Sequence, residues 1–194
     1  MSRGNVGAMP ALAWTAAFTT WITLWPWSGF AEEGGRHFGT LLFCIAAVTT
    51  VGILGRMARL PVLVVLSGQL LTVMLSANLI WGDSLIPTRG SIETAITAFA
   101  DAINASQEFA APVPTSAASI GPIIVLGGLM IHVLVDFFAV TLARVPMAGL
   151  PLLAAYSLPI SMLDRQIGWL TFLFAATGFL GMLALQEKDR KSVV

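Results

Sequence analysis

Six apolar runs, each close to the length of one membrane crossing, constrain this chain more than any other feature. They cover residues 10–30, 38–55, 60–81, 120–142, 146–162 and 167–185. A helix needs about 20 apolar residues to cross the hydrocarbon core of a bilayer. It also satisfies its own backbone hydrogen bonds, as that core demands. We therefore predict an all-α, polytopic membrane bundle of about six transmembrane helices, with residues 1–194 forming a single transmembrane domain.

The composition agrees with a membrane environment and argues against several classes of function. Only 10% of the residues are charged and 57% are hydrophobic, whereas soluble domains carry roughly 25% charged residues. The net charge of zero gives no reason to expect nucleic-acid binding. A single cysteine, Cys44, excludes an internal disulfide and a cysteine-cluster metal site. We expect membrane lipids as partners, no nucleic acid and no cofactor.

The basic residues predict the orientation of the chain, because cytoplasmic loops of membrane proteins carry an excess of Lys and Arg. With the N-terminus in the cytoplasm, seven of the ten basic residues lie inside: Arg3, Arg56, Arg59, Arg144, Lys188, Arg190 and Lys191. The other three lie outside: Arg36, Arg89 and Arg165. We therefore predict a multi-pass protein with both its N- and C-termini in the cytoplasm.

Two prolines predict an irregularity in the fifth run. Pro151 and Pro159 both lie within residues 146–162. Proline removes a backbone donor and clashes with the preceding turn of a helix. We therefore expect the fifth helix to be kinked or broken.

The long connection between the third and fourth runs predicts an amphipathic helix over residues 91–109, with Ser91 as its N-cap. Its apolar positions recur at helical spacing: Ile92, Ile96, Phe99 and Ile103. Its polar positions lie mainly on the other side: Glu93, Thr97, Asp101, Asn104 and Glu108. Such a helix lies on the outer membrane face or caps the bundle. The alternative is a docking surface for an outside partner.

An ionisable pair inside an apolar run is the main candidate site. His132 and Asp136 are four residues apart and share a face of the fourth predicted helix. An ionised carboxylate inside a membrane costs at least about 2.5 kcal/mol on insertion scales, so Asp136 needs a partner within the bundle. The expected partners are His132 and three arginines near the cytoplasmic helix ends: Arg56, Arg59 and Arg144. A polar stripe on the third run is expected to face them: Gln69, Thr72 and Ser76.

Two hypotheses explain Asp136. In the first, it is a structural clasp that holds the helices in register. In the second, His132 and Asp136 form a proton or ion relay, as in transporters. Transporters usually contain repeats with paired interrupted helices, and no convincing repeat is present in this sequence, so the clasp is favoured. His132 is also a candidate axial ligand for a pigment or haem, although a lone membrane histidine more often bonds a neighbour.

Four segments, in this order, carry a resemblance to a known family. They are RLPVLVVLSGQLL at 59–71, AAPVP at 110–114, LVDFFAVTL at 134–142 and RVPMAGLPLL at 144–153. Together they resemble the N-terminal membrane region of bacterial transglutaminase-like proteins of the TgpA type, especially actinobacterial ones. The resemblance covers roughly residues 56–190 and implies a bacterial cytoplasmic membrane location.

The resemblance implies more than residues 1–194 contain. Proteins of this type continue into an extracytoplasmic transglutaminase-like domain with a Cys-His-Asp catalytic set. They tend to be encoded beside a MoxR-type ATPase and a von Willebrand-like partner protein. Here Cys44 is seven residues from His37, about 10 Å along a helix, too far for a thiol and its base. We therefore expect no enzymatic activity from this chain.

Three functions follow as hypotheses. The first is a non-catalytic membrane anchor and assembly module of a transglutaminase-like protein. The second is a stand-alone accessory subunit of a larger membrane protein complex. The third is a small ion-coupled transporter built on His132 and Asp136. Transport predicts a hydrated cavity at Asp136, whereas the other two predict a dry, paired carboxylate.

Overall fold

The structure, a computed structural model, describes residues 8–163 and 168–191, without the side chains of residues 8 and 189–191. Its helices are α1 Ala8–Leu24, α2 Arg36–Met57, α3 Val62–Trp81, α4 Arg89–Glu108, α5 Gly121–Asp136, α6 Val145–Met162 and α7 Trp169–Lys191. A 3-10 helix, Trp25–Phe30, follows α1, and a π-helical turn, Phe137–Thr141, continues α5. The described residues hold no strand, only an isolated bridge between Ala31 and Val113, so the all-α prediction is confirmed.

Five of the described helices are long and apolar enough to cross a membrane. They are α2, α3, α6, α7, and α5 together with its π-helical turn. The first predicted run, residues 10–30, overlaps α1, which begins at Ala8 and ends at Leu24, and whose 17 residues rise only about 25 Å. That rise is shorter than the hydrocarbon core, which is about 30 Å thick, and the chain continues directly into the 3-10 helix. The protein is a membrane protein built as a helix bundle.

The helix connections at one end of the bundle are joined by polar side chains. Arg56 Nη1, near the end of α2, donates a hydrogen bond to Thr141 Oγ1 over 3.1 Å. Gln186, in the second-last turn of α7, donates to the Ala143 carbonyl and accepts from the Val145 N–H over 3.3 Å. Gln186 thereby holds the turn between α5 and α6. We call the end that contains these residues the arginine end.

The opposite end, called the loop end, contains residues 25–35 and 109–120. The Val113 N–H donates to the Phe30 carbonyl over 2.8 Å, and the Glu32 N–H donates to the Val113 carbonyl over 3.1 Å. These bonds join the α1–α2 connection to the α4–α5 connection. They bring together two segments that are about 80 residues apart in the chain.

The described basic residues divide between the two ends. Arg36 and Arg89 begin α2 and α4 at the loop end. Arg56 and Arg59 lie at the arginine end, with Arg144 at the start of α6. The orientation prediction places these two groups of arginines on opposite sides of the membrane, and the structure places them at opposite ends of the bundle. Which end faces the cytoplasm remains a prediction, and Arg3 and Arg165, on which it partly depends, lie outside the described residues.

The central helix is α5, which packs against α1, α2, α3 and α6. In its crossing segment 56% of the residues are buried, against 6% in α7, which packs mainly along α1. Gly128 of α5 permits this close packing. A Cβ atom at Gly128 would lie 3.0 Å from Leu41 Cδ1 and 3.1 Å from Leu24 Cδ1, so the side chains of these leucines would have to shift to admit it.

The helix formed by the fifth predicted run corrects one half of a prediction. α6 continues from Val145 to Met162 through Pro151 and Pro159, so the helix is not broken, and a kink stays a prediction. Pro159 has no N–H for the Ala155 carbonyl one turn earlier. The Trp27 indole Nε1–H donates to that carbonyl over 2.8 Å. A neighbouring side chain thus replaces the missing helix bond, which is how membrane helices tolerate proline.

The connection after α3 forms the predicted amphipathic helix, with a different N-cap. α4 begins at Arg89, and Thr88 is its N-cap residue. The Ser91 N–H donates to Thr88 Oγ1 over 3.2 Å, and the Thr88 N–H donates to Ser91 Oγ over 2.9 Å. This reciprocal pair is a capping box. Ser91, predicted as the N-cap, instead lies at the third helical position.

We expect Trp27→Phe to lower the free energy of unfolding by about 1–3 kcal/mol, because the buried Ala155 carbonyl loses its donor. The measurement is an unfolding titration in mixed detergent and SDS micelles. In a Pro159→Ala background the helix regains its own N–H, so Trp27→Phe should cost measurably less. Trp14→Phe is the matched control, since Trp14 is 47% exposed. Equal costs of Trp27→Phe in the two backgrounds would contradict the replacement role.

Candidate functional site

Asp136, the last residue of α5, forms a buried ion pair with Arg56 of α2. The carboxylate is fully buried, at 0% exposure. Arg56 Nη1 donates to Oδ2 over 2.8 Å, and Nη2 donates to Oδ1 over 3.0 Å. Two-point pairs of this kind combine charge with fixed geometry and are strong polar contacts. The pair therefore joins the arginine ends of α2 and α5.

A third helix reaches the same carboxylate. Gln69 of α3 is buried at 1% exposure, and its Nε2 donates to Asp136 Oδ2 over 2.7 Å. Oδ2 therefore accepts two hydrogen bonds and Oδ1 accepts one from the protein. Arg56 also donates to Thr141, in the π-helical turn that follows Asp136. The site links α2, α3 and α5 through one carboxylate.

The reach of Arg56 follows from helix geometry. α2 and α5 both run from the loop end to the arginine end, and Thr49 and His132 are in contact across them. Arg56 lies seven residues beyond Thr49, about 10 Å, whereas Asp136 lies four residues beyond His132, about 6 Å. Helical side chains lean toward the N-terminus. Arg56 therefore reaches back toward the bundle centre and arrives at the level of Asp136.

Gly52 provides the space for the two donors. It lies one helical turn before Arg56 on α2. A Cβ atom at this position would lie 2.5 Å from Gln69 Nε2 and 2.7 Å from Arg56 Nη2. Separations below 3.0 Å require an atom to move. Any side chain at Gly52 would therefore displace the groups that bind Asp136.

His132 makes its contact with α2 and not with Asp136. Its Nε2 lies 2.9 Å from Thr49 Oγ1, and the Thr49 hydroxyl donates its single proton to the Ile45 carbonyl over 2.7 Å. Because that proton is committed, the Nε2–H of His132 is the donor to Thr49 Oγ1. Neutral histidine carries one ring proton, so Nδ1 is unprotonated, and it has no hydrogen-bond partner among the described residues. Nε2, the other ring nitrogen of the candidate ligand His132, is engaged by Thr49.

Two of the three arginines considered for Asp136 lie elsewhere. Arg59 is exposed in the α2–α3 turn, where its φ of 58° ends the helix in the left-handed region. Arg144 is also exposed, with Nη1 4.0 Å from the Met147 sulfur. Both follow the last residue of a helix or precede the first, whereas Arg56 is still within the last turn of α2 and its side chain reaches back to the carboxylate. Among the described residues, the hydrogen-bond donors to Asp136 are Arg56 and Gln69.

The predicted polar stripe on α3 meets α5 at one residue only. Gln69 binds Asp136, as described. The Thr72 hydroxyl instead donates to the Gly68 carbonyl of its own helix over 2.8 Å. Ser76 lies beside the Cys44 thiol of α2. The three residues have helical spacing, but only the member nearest the arginine end reaches the carboxylate.

The sequence analysis missed two members of the site. Thr49 lies in an apolar run, and its spacing to Gly52 and Arg56 places all three on one face of α2. That spacing was the available signal. Thr141 had no comparable signal, because its position depends on the π-helical turn. In that turn the Leu142 N–H bonds the Phe137 carbonyl over 2.9 Å, one residue wider than in an α-helix.

A polar cavity of about 470 Å³ lies at the loop end. Its lining includes Glu32, Arg36, His37, Thr115 and Ser119. The Glu32 carboxylate accepts from the Thr115 N–H over 2.9 Å, which joins the two connections. Among the described residues, no group of three or more His, Cys, Asp or Glu side chains is arranged to hold a metal. The cavity is wide and open to the surface.

The protein is a polytopic membrane bundle with a buried ion pair toward its arginine end. The sequence model of the TgpA N-terminal domain matches residues 18–193. The chain therefore belongs to the TgpA N-terminal domain family, as the sequence resemblance indicated. Neither the curated proteins nor the solved structures contain a match.

We expect Gly52→Ala to lower the free energy of unfolding by about 1–3 kcal/mol, because overpacking displaces Gln69 or Arg56 from Asp136. Gly39→Ala is the matched control on the same helix, since a Cβ atom there meets nothing within 4 Å. The control should be neutral or slightly stabilising, because alanine favours helices over glycine. The measurement is the same micelle titration. Similar results for the two variants would contradict the assigned role of Gly52.

We expect Asp136→Asn to destabilise the bundle by about 3 kcal/mol or more, because a buried guanidinium loses its counter-charge. An apolar double variant, Arg56→Met with Asp136→Leu, removes both charges and should recover much of that loss.

The matched control for the ion-pair variants is Arg89→Gln. It breaks the exposed pair with Glu93, whose two side chains are 93% and 65% exposed, and should change nothing measurable. The readout is the same micelle titration used for the other variants. Asp136→Asn as stable as Arg89→Gln would show that the buried pair does not hold the helices.

Proposed function

We propose that this chain is the non-catalytic membrane anchor and assembly region of a bacterial transglutaminase-like protein. The observation that carries the proposal is the paired, fully buried Asp136 at the junction of α2, α3 and α5. Membership of the TgpA N-terminal domain family supports the wider context. The proposed location is the bacterial cytoplasmic membrane, with both termini in the cytoplasm and the loop end outside.

The surroundings of Asp136 favour a structural clasp over an ion relay. A relay group must exchange its proton along a hydrated path, whereas Asp136 has 0% exposure and binds three N–H groups. Arg56 and Gln69 bind the carboxylate to α2 and α3, so a transport cycle that released it would break contacts among three helices. His132 donates to Thr49 and not to Asp136. The supposed relay is therefore not connected by a hydrogen bond.

A clasp of this kind best supports a structural function, in which the helices hold a following domain in a fixed position. A buried ionic contact with several hydrogen bonds fixes the register of the helices that carry it. Fixed helices give a rigid base for a domain that follows outside the membrane. The catalytic Cys-His-Asp set is proposed to belong to that domain and not to residues 1–194.

The alternative role as an accessory subunit is supported by the exposed faces of the bundle. In the crossing segments of α3 and α7 only 22% and 6% of the residues are buried. Such faces contact lipid or the helices of other subunits. By family resemblance, a MoxR-type ATPase is a proposed partner at the arginine end. A von Willebrand-like protein is a further proposed partner.

Proton flux into vesicles separates the clasp from the relay. We expect wild-type protein in proteoliposomes to move protons no faster than empty vesicles do, measured with an enclosed pH-sensitive dye. We also expect Asp136→Asn to reduce the yield of monodisperse protein, measured by size-exclusion chromatography in detergent. Wild-type flux that Asp136→Asn abolishes while its yield stays normal would support the transporter and contradict the anchor.

Mass analysis of the native protein separates the anchor from the accessory subunit. The anchor predicts that protein purified from its own source has an intact mass well above 20.5 kDa, with a Cys-His-Asp domain in the additional sequence. The subunit hypothesis predicts a mass near 20.5 kDa and stoichiometric co-purifying membrane chains.

Protease digestion of intact cells tests the proposed orientation. Peptide mapping should find cleavage at the loop end, which we propose to lie outside.

A further inference from the structure

The amphipathic helix α4 presents three different surfaces. The surface turned to the bundle is buried or half-buried and consists of small residues: Ser91, Ala95, Ala98, Ala102 and Ala105. One position further along the helix, large residues form what we call the apolar stripe: Ile92, Ile96, Phe99 and Ile103. Their exposures are 42%, 64%, 36% and 36%. Adjacent positions on a helix differ by about 100°, so the apolar stripe faces sideways from the bundle.

The N-terminal half of α4 lies at the level where the crossing helices end. The 20 residues of α3 rise about 30 Å, the thickness of the hydrocarbon core. Gly82 directly follows α3, and a Cβ atom there would lie 2.6 Å from the Ser91 carbonyl oxygen. The first turn of α4 is therefore in contact with the end of α3.

The C-terminal half of α4 lies at the same level. α4 packs against α5, and Ala105 and Glu108 of α4 line a surface pocket together with Ala117 and Ala118. Ala117 and Ala118 lie just before α5 at the loop end. Both halves of α4 lie beside the ends of crossing helices. In a bilayer that those helices span, α4 would lie at the boundary between hydrocarbon and headgroups, with the apolar stripe at the depth of the outermost lipid chains.

We propose that α4 is a lipid-binding interfacial helix, whose apolar stripe inserts between the lipids of the leaflet at the loop end. Amphipathic helices bind membranes in this way when their apolar face is large and their polar face stays in water. Leu85 and Ile86, which precede α4, are 62% and 72% exposed. Leu79 and Met74 of α3, a helix long and apolar enough to cross a membrane, are exposed as well.

The charges of α4 define the lipid chemistry. Its polar face carries Glu93, Asp101 and Glu108, and Arg89 is its only basic residue. Arg89 is paired with Glu93 at 3.0 Å. An acidic face is repelled by anionic headgroups, so apolar burial and not charge attraction holds the helix. We expect zwitterionic lipid to be sufficient. This inference concerns α4 alone and does not depend on the proposed anchor function.

Spin-label accessibility tests the insertion at neighbouring positions. The full chain carries Cys44→Ala, so that a single new cysteine is labelled with a nitroxide. Ile96→Cys samples the apolar stripe, and Thr97→Cys on the polar face is its control one residue away. A second pair, Ile103→Cys with Asn104→Cys, makes the result independent of one position. Each protein is placed in phosphatidylcholine vesicles, and collisions with oxygen and with a water-soluble nickel complex are measured.

The collision ratios decide between three occupants of the stripe. We expect the oxygen-to-nickel ratio to be several-fold higher at Ile96 and Ile103 than at Thr97 and Asn104, because oxygen concentrates in lipid. Equal, nickel-accessible labels at all four positions would place the stripe in water and overturn the proposal. Low collision rates with both reagents at Ile96 and Ile103 would also overturn it, and would indicate a covering protein chain.

Discussion

The buried carboxylate of Asp136 is the constraint around which the arginine end is arranged. An ionised group in a membrane interior must be paired, since leaving it alone costs several kcal/mol at least. Arg56 neutralises it at two points, and Gln69 brings a third helix to the same oxygen. Gly52 must lack a side chain for these groups to fit. The positions of α2, α3 and α5 relative to one another therefore follow from one charge.

The cost of burying an unpaired polar group also explains contacts at two irregular parts of the bundle. Pro159 leaves the Ala155 carbonyl without its helix donor, and Trp27 supplies one from a different segment. At the arginine end, Gln186 bonds both sides of the turn between α5 and α6. Each irregularity is thus also a contact between elements. Departures from ideal helices here add connections to the bundle.

Family, site and surface together describe a rigid membrane base. The chain belongs to the TgpA N-terminal domain family. Its buried Asp136 carboxylate is bound by Arg56 and Gln69 in contacts between helices. The loop end is joined internally by Val113 and Glu32. α4 adds a surface that fits the lipid interface beside the bundle. A base held by a central clasp and by an interfacial helix suits the support of a domain outside the membrane, which is the role we propose.

The sequence by itself determined the membrane class, most helix boundaries to within about two residues and the importance of Asp136, because length, apolarity and the cost of a buried charge are local properties. It missed the C-terminal ends of α1 and α7, which are Leu24 and not residue 30, and Lys191 and not residue 185. It also placed Arg56 and Gln69 among the candidates. Only the tertiary structure decided that Arg56 and not Arg59 or Arg144 pairs with Asp136, and that His132 binds Thr49. Those choices depend on the relative level and rotation of packed helices. A sequence gives the angular position of a residue on its own helix, but the facing residue on another helix is set by packing.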